Sequence, residues 1–420
     1  MPLDLTILGG GMIVHDQILP SVYHLQRLDR VGAITIAASS TARLRDLVSD
    51  RFAQAFLGQS FTALPPLSEP AGKRHPDIWK DAVNAMKPRQ MVIVAAPDEL
   101  HDEMVTFALE HDQHVLCVKP LVHRYEQAKA IEQLARERGL FVGIEYHKRF
   151  DRRSLEARGS YRAGRFGHFR CGEAKLIEPW SYRDSNFQNW FTVDKTDPFT
   201  YIGCHYVDLV YFITGLRPTG VSVRGVEGTF PNGNRATMWS AGHVTFENGG
   251  ILSVINGLGY PDDGAGSNDQ SMCLFCESTE AREGSGAGAV IHHNDQFRGV
   301  SHGFIEPVGD KAFHFINPDY FRLVPFEGDG QRPVGYGYDS IEAHLAAAAQ
   351  LEEVSASLSQ TDALHKRREL LQLIDERGIL ATPANSFINE LVVEAARYSI
   401  QNQAANVTIE YEPTPRIRHE

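Results

Sequence analysis

Cysteine is scarce in this chain of 420 residues, with five scattered along it: Cys117, Cys171, Cys204, Cys273 and Cys276. An odd, dispersed set of this kind excludes a disulfide framework and points to a reducing cytoplasm. The C-x-x-C pair Cys273 and Cys276 lies in an apolar stretch that reads as a strand, where positions i and i+3 face opposite ways. No metal is therefore expected there, nor at the adjacent His292 and His293 near Asp295, for the same reason. Long apolar runs are also missing, and none approaches the roughly 20 residues that span a bilayer. Positive charge is in deficit: 41 Lys and Arg against 53 Asp and Glu leave a net charge of −12. That balance excludes a nucleic-acid surface and disfavours an anionic membrane. Met1-Pro-Leu-Asp-Leu5 has neither a basic leader nor a cleavage signature, so no secretory signal is expected. The chain has no internal repeat and no low-complexity tail.

What is present first is alternation. Apolar strand-like runs at Leu5–Leu8, Ala33–Ala38, Met91–Ala96, His114–Val118 and Leu140–Ile144 are separated by amphipathic segments at Asp16–Leu28, Thr41–Phe56, Glu99–His111 and Tyr125–Gly139. Strands alternating with helices predict a parallel, doubly wound Rossmann sheet over residues 1–150. After Arg152 strand-like runs follow one another between Gly and Asn turns: His168–Cys171, Val221–Arg224, Ala241–Phe246 and Ile251–Ile255. Residues 151–420 are thus expected to form an α+β domain. Its sheet is open and mostly antiparallel, with helices on one face at Ile341–Leu358, Asp362–Arg377 and Ser386–Gln401. These C-terminal helices are free to pack back on the first domain. Asp262–Asn268 and Glu283–Ala289 read as loops.

Gly9-Gly10-Gly11-Met12-Ile13 follows the first strand directly and opens a helix. Glycines at the first and third positions permit a tight turn and let a pyrophosphate approach the backbone at a helix N-terminus. The third glycine of the usual pattern is Val14 here. At the end of the second strand an NAD site usually carries an acid for the ribose diol. This chain has Ser39, Ser40 and Arg43 instead, with no acid before Asp46. Hydroxyls and a guanidinium suit a 2′-phosphate, so NADP is favoured over NAD. The alternative is that Ser39 caps the next helix and Arg43 is merely solvated.

Four stretches in order carry a family resemblance. They are the Gly9–Gly11 turn, Val94-Ala-Ala96-Pro97-Asp-Glu-Leu-His101, His114-Val-Leu-Cys-Val-Lys119-Pro120 and Tyr201-Ile-Gly-Cys-His205-Tyr-Val-Asp208. Together they resemble the glucose–fructose oxidoreductase and inositol dehydrogenase family, Gfo/Idh/MocA. The resemblance implies cofactor contacts at Gly9, Gly11, Met12, Ile13, Ser39, Ser40, Arg43, Ala96, Pro97, His101 and Lys119. It also implies a homodimer or homotetramer built through the C-terminal sheet. Two departures stand out. Val118 replaces the acid before the family lysine, and Tyr201 replaces the aspartate four residues before the histidine.

Oxidising a secondary alcohol requires a group to take the hydroxyl proton and positive charge to steady the developing alkoxide. Lys119, at the carboxyl edge of the sheet on a proline turn, suits that task once desolvation lowers its pKa. His205 and Asp208 share a helix face at i and i+3, so the carboxylate is placed to fix the imidazole tautomer for proton exchange. Tyr201 is positioned to donate a hydrogen bond or relay a proton. His147, Arg149, Trp190, Tyr201, Asp208 and Tyr336 are candidate substrate contacts, Tyr336 standing in a Gly-rich loop before a helix. The expected activity is hydride transfer between a nicotinamide cofactor and a hydroxyl or keto group of a sugar or polyol. Two alternatives remain: an enzyme cycling hydride on a tightly held cofactor, or a non-enzymatic dinucleotide-binding regulator.

Overall fold

The computed structural model describes residues 2–264, 268–277, 288–294, 303–304, 314–315, 320–326 and 330–419. The chain forms two compact units. The first comprises Met1–Val122, Glu126–Phe150 and Asp319–Asn385, and the second His123–Tyr125, Asp151–Pro318 and Ser386–Glu420.

The first unit holds a six-stranded parallel sheet: β1 (Leu3–Leu8), β2 (Val31–Ala37), β3 (Thr62–Leu64), β4 (Met91–Val94), β5 (His114–Val118) and β6 (Val142–Glu145). Its order, β3-β2-β1-β4-β5-β6, is that of a doubly wound dinucleotide-binding sheet. Such sheets are covered on both faces, which is why β1 and β4 read as continuous apolar runs; Leu5, Ile7, Met91 and Ile93 are all buried. The order reverses between β1 and β4, where doubly wound sheets open a ligand crevice at the strands' carboxyl ends.

The helix expected over Asp16–Leu28 divides into a π-helical turn, Val14–Ile18, and an α-helix, Leu19–Arg27, with Pro20 in its first turn. The chain is already helical from Met12, and Leu19 N–H bonds the Val14 carbonyl five residues back, so Pro20 follows directly on the π-helical widening. A second correction concerns Tyr336. It does not lie in a loop but is the first residue of the helix Tyr336–Ser355, started by Gly335 at φ 108°. Its ring is buried. That helix packs with Gln360–Arg377 in the first unit, and Ile341, Leu345 and Leu371 join the core beneath β1 and β2.

The second unit holds an eight-stranded sheet. Its strands are β7 (His168–Pro179), β8 (Pro218–Thr229), β9 (Arg235–Phe246), β10 (Ile251–Tyr260), β11 (Asp269–Glu277), β12 (Gly288–Asn294), Val407–Glu410 and Arg416–His419. They run in the order β12-β11-β7-β10-β9-β8, followed by the two C-terminal strands. The sheet is antiparallel throughout except where β10 lies parallel to β7. Alternation sends Leu252 and Val254 of β10 inward and leaves Ile251 and Ile255 exposed. The helix Ile388–Gln401 covers β8, and Ser399 Oγ accepts from the Val223 amide at 2.9 Å.

Of the loop expected over Glu283–Ala289, residues 283–287 lie outside the described residues, and Gly288 and Ala289 already belong to β12. Of Asp262–Asn268, residues 265–267 lie outside them; Asp262–Gly264 form a turn closed by the Gly264 amide on the Pro261 carbonyl at 2.9 Å. Cys273 is half-buried and Cys276 buried, on opposite faces of β11. His292 is exposed and His293 buried, while Asp295 lies outside the described residues. Among the described residues no group of three or more His, Cys, Asp or Glu could hold a metal. No helix among them is long and apolar enough to cross a membrane.

Candidate active site

Two sets of residues bear on chemistry, one in each unit. In the first unit the glycine turn follows β1. Gly9 adopts φ +118°, and a Cβ there would overlap the Ala95 carbonyl oxygen at the end of β4. Only glycine lets the two strand ends approach so closely. A Cβ at Gly11 would meet nothing within 4 Å, so the backbone is open on that side. Met12 is exposed and Ile13 half-buried at the start of the helix. Open backbone at a helix start, beside the point where the strand order reverses, fits the diphosphate of a dinucleotide.

Ser39 is exposed just beyond β2, and its Oγ accepts a hydrogen bond from Arg74 Nη1 at 3.1 Å. The helix Thr41–Asp46 is preceded by Ser40 and has no side-chain cap. Ser39 therefore does not serve as its cap. Arg43 is exposed, with Nη1 3.6 Å from Asp46, and its Cβ lies 3.3 Å from where a Gly10 Cβ would be. Arg74 is the residue that sequence reasoning missed. It comes from a distant loop, and only tertiary structure brings it to Ser39.

The ends of β4 and β5 are stapled by one imidazole. His101, nearly fully buried, sets Nδ1 2.8 Å from the Pro120 carbonyl and Nε2 3.0 Å from the Ala96 carbonyl. The tautomer decides which nitrogen donates. Either way the ring links the Ala96-Pro97 turn to the Lys119-Pro120 turn, where Lys119 is half-buried.

In register with Val118 stands Glu145, the last residue of β6 and 2% exposed. Its Oε1 accepts from Gln17 Nε2 at 2.9 Å and its Oε2 from His147 Nδ1 at 2.8 Å. Gln17 also donates to the Gly337 carbonyl at 3.1 Å and accepts from Tyr320 Oη at 2.6 Å. The His147 ring lies on Tyr336, with centroids 5.6 Å apart at 30°. Tyr336 therefore meets His147 inside the first unit. Arg149 is 1% exposed, its guanidinium 5.8 Å from the Tyr146 ring centroid and its Nη1 3.4 Å from Asn385 Oδ1. Sequence reasoning also missed Glu145 and Gln17. The signal for Glu145 was an acid closing a buried strand two residues before a histidine.

In the second unit Tyr201 sits within a π-helical turn, Phe199–Gly203, that runs straight into the helix Cys204–Thr214 carrying His205 and Asp208. Tyr201 is itself helical, because the chain is already helical from Phe199. Its ring stands edge-on to Phe187, Trp190 and Phe191 at 5.2, 5.6 and 5.8 Å. Trp190 belongs to that aromatic cluster, which also takes in Phe230 and Met238. His205 is 5% exposed. Asp208 is buried and its Oδ1 accepts from Asn389 Nδ2 at 2.8 Å, which ties this helix to Ile388–Gln401.

Residues 3–146 match the GFO_IDH_MocA family, described as an oxidoreductase family with an NAD-binding Rossmann fold. Over those residues the chain is similar to the Gfo/Idh/MocA family, and its first unit has the Rossmann fold that the family description names. It is 25% identical over 273 residues to the D-glucoside 3-dehydrogenase of Escherichia coli K12, covering 60% of this chain and 69% of that one. An uncharacterized oxidoreductase of Schizosaccharomyces pombe is 36% identical over 78 residues, 19% of this chain and only 21% of its own length. The solved structure of scyllo-inositol dehydrogenase from Lactobacillus casei, with bound NAD(H) and scyllo-inositol, superposes with a TM-score of 0.59. That alignment covers 97% of this chain and 99% of the other at 14% identity, a likeness of fold. The family match lies on the six-stranded parallel sheet, and the likeness of fold to the solved structure extends over the open, mostly antiparallel sheet as well.

Proposed function

We propose that this protein is an NADP-preferring oxidoreductase acting on a secondary hydroxyl, or the corresponding keto group, of a sugar or polyol. The observation that carries the reading is the His101 bridge, which ties the Lys119-Pro120 turn to the strand end beside the glycine turn. A lysine merely solvated at a sheet edge needs no such tether. The absence of an acid at the end of β2, with Ser39, Arg43 and Arg74 there instead, supports NADP.

Gly9, Gly11, Met12, Ile13, Ser39, Ser40, Arg43, Ala96, Pro97, His101 and Lys119 are the residues assigned to hold the cofactor, which when bound supplies the hydride acceptor or donor. Lys119 is assigned the positive charge that steadies the substrate oxygen as it becomes an alkoxide. His205 exchanges the hydroxyl proton, and Tyr201 orients or donates to substrate. His147 is the favoured polar contact for substrate in the first unit. Tyr336 supports His147 by packing on its ring, Arg149 stays buried beside Tyr146, and in the second unit Trp190 and Asp208 serve as packing and positioning residues around Tyr201 and His205.

A second copy of the chain is the proposed partner. Ile251, Cys171, Phe275 and Val290 form a row across β10, β7, β11 and β12, each opposite the next, and all four are exposed. An apolar row on an open sheet face is suited to packing against its own symmetry mate. A cytoplasmic setting is the proposed location, in keeping with five cysteines scattered along the chain.

The test is a sugar and polyol screen with NADP and NAD, run on wild type and Lys119→Ala. Turnover with at least one sugar, lowered by about 10² to 10⁴ in the variant with cofactor affinity retained, is expected. A variant that keeps wild-type turnover on the same sugar overturns the assignment of Lys119. No turnover with any sugar, and no cofactor-dependent exchange, overturns the activity.

A further inference from the structure

The loop between β3 and the helix Ile78–Asn84 returns to the end of β2 and is fastened there at several points. The Ala38 amide donates to the Leu64 carbonyl at 2.9 Å and the His75 amide to the Ser39 carbonyl at 2.8 Å. Thr41 Oγ1 donates to the Glu69 carbonyl at 3.1 Å, and Arg45 Nη2 donates to the Leu67 and Glu69 carbonyls at 3.0 and 2.9 Å. The result is a backbone held in place on which three consecutive basic side chains, Lys73, Arg74 and His75, are presented.

Their surroundings are not equivalent. Lys73 Nζ is 2.9 Å from Glu69 Oε2, and His75 Nε2 lies 4.0 Å from the same oxygen. Arg43 is 3.6 Å from Asp46. Arg74 is different, since its partner is the neutral hydroxyl of Ser39 at 3.1 Å. A guanidinium on an exposed hydroxyl, beside a strand end without an acid, is a charge awaiting an anion.

We propose that Arg74 is the principal ligand of the NADP 2′-phosphate and thereby sets cofactor choice, with Ser39 as hydrogen-bond donor and Arg43 as the second cation. This rests on the NADP reading above and names the residue that enforces it. Guanidinium presents a planar fork of donors matched to phosphate oxygens, and the fastened loop pre-orders it, so little entropy is lost on binding. Ser39 Oγ accepts from Arg74, which leaves its own hydroxyl hydrogen to donate to a phosphate oxygen. Arg43 reaches from beside the glycine turn, with its stem against Gly10. A free ribose 2′-hydroxyl gains nothing comparable from a second positive charge.

Calorimetric titration with NADP, NAD, 2′-phospho-ADP and ADP tests this on wild type, Arg74→Ala and Arg74→Lys. The expected result is a tenfold to hundredfold loss of affinity for NADP and 2′-phospho-ADP in Arg74→Ala. Affinity for NAD and ADP should stay within about twofold, and Arg74→Lys should recover part of the loss. Salt should weaken wild-type NADP binding more than that of the alanine variant. A wild type that prefers NADP, with an Arg74→Ala variant losing nothing or losing equally for all four ligands, overturns the role of Arg74 and leaves the NADP reading standing. A wild type that prefers NAD overturns both. Because Arg74 is exposed and makes no core contact, melting curves of the variants should match wild type, and a large fall in stability would also count against a ligand role.

Discussion

Glu145 Oε2 accepts a hydrogen bond from His147 Nδ1 at 2.8 Å, while the other carboxylate oxygen is held by Gln17 at 2.9 Å. With both oxygens engaged, the carboxylate fixes the imidazole as the Nδ1–H tautomer and turns the Nε2 edge away from itself. Glu145 stands in register with Val118, the position at which the family resemblance implies an acid. The neighbouring strand thus brings a carboxylate to the level of the lysine turn.

Glu145→Gln keeps the shape and removes the charge, so one N–H of the new amide must face Gln17 or His147. The variant is expected to fold and to lose about tenfold in kcat/KM, mostly through KM, as His147 loses its fixed orientation. Steady-state kinetics on the best sugar from the screen check this. Unchanged kinetics would remove His147 from substrate recognition.

Gly9→Ala is expected to abolish cofactor binding. Its Cβ overlaps the Ala95 carbonyl oxygen, and φ +118° adds strain of about 1–3 kcal/mol for any residue other than glycine. Titration of cofactor against the variant, with its melting temperature, measures both effects. Gly11→Ala should fold normally, since its Cβ meets nothing within 4 Å, and should weaken only the ligand.

Tyr201 and His205 can be ranked by mutation. If the imidazole exchanges the proton, His205→Ala should cost at least a hundredfold in turnover and Tyr201→Phe about tenfold. If the phenol is the base, Tyr201→Phe should nearly abolish oxidation instead. The pH dependence of turnover for wild type and both variants decides it, and His205→Ala is expected to be the more damaging.

Stability should fall with acid before the carboxylates titrate. Burial lowers the pKa of His24 to about 4, helped by the charges of Arg27, Arg332 and Arg30, and burial also lowers His114 and His344. These rings are neutral when folded, but in the unfolded chain they take up protons below about 6.5. The unfolded state therefore binds more protons, and the stability present above about 6.5 is lost as pH falls toward the folded values. Melting temperature should drop between pH 7.5 and 5, by less in His24→Gln. Equal drops in both proteins would show that His24 contributes nothing to this dependence.

The strand ends were legible from local pattern. Gly9 and Lys119 each follow an apolar run, and a parallel sheet gathers the carboxyl ends of its strands along one edge whatever the connections contain; Glu145 closes such a run too, yet was passed over because the expected strand stopped at Ile144. The fold class followed from the same periodicities. Tyr336 was misplaced because Gly335 and Gly337 read as a loop, whereas Gly335 only starts the helix and Gly337 packs within its first turn. The extent of helix around Tyr201 was missed because a π-helical turn has no distinctive sequence period.

Sequence by itself determined which residues could lie on the ligand edge, because strand and helix periods depend on nearest neighbours along the chain. Tertiary structure alone decided what those residues touch. Arg74 reaches Ser39, Gln17 reaches Glu145 and Asn389 reaches Asp208 across 35, 128 and 181 positions. Such pairings depend on how loops and helices fold back over a sheet. That is set by packing summed over the whole core, and no local spacing encodes it.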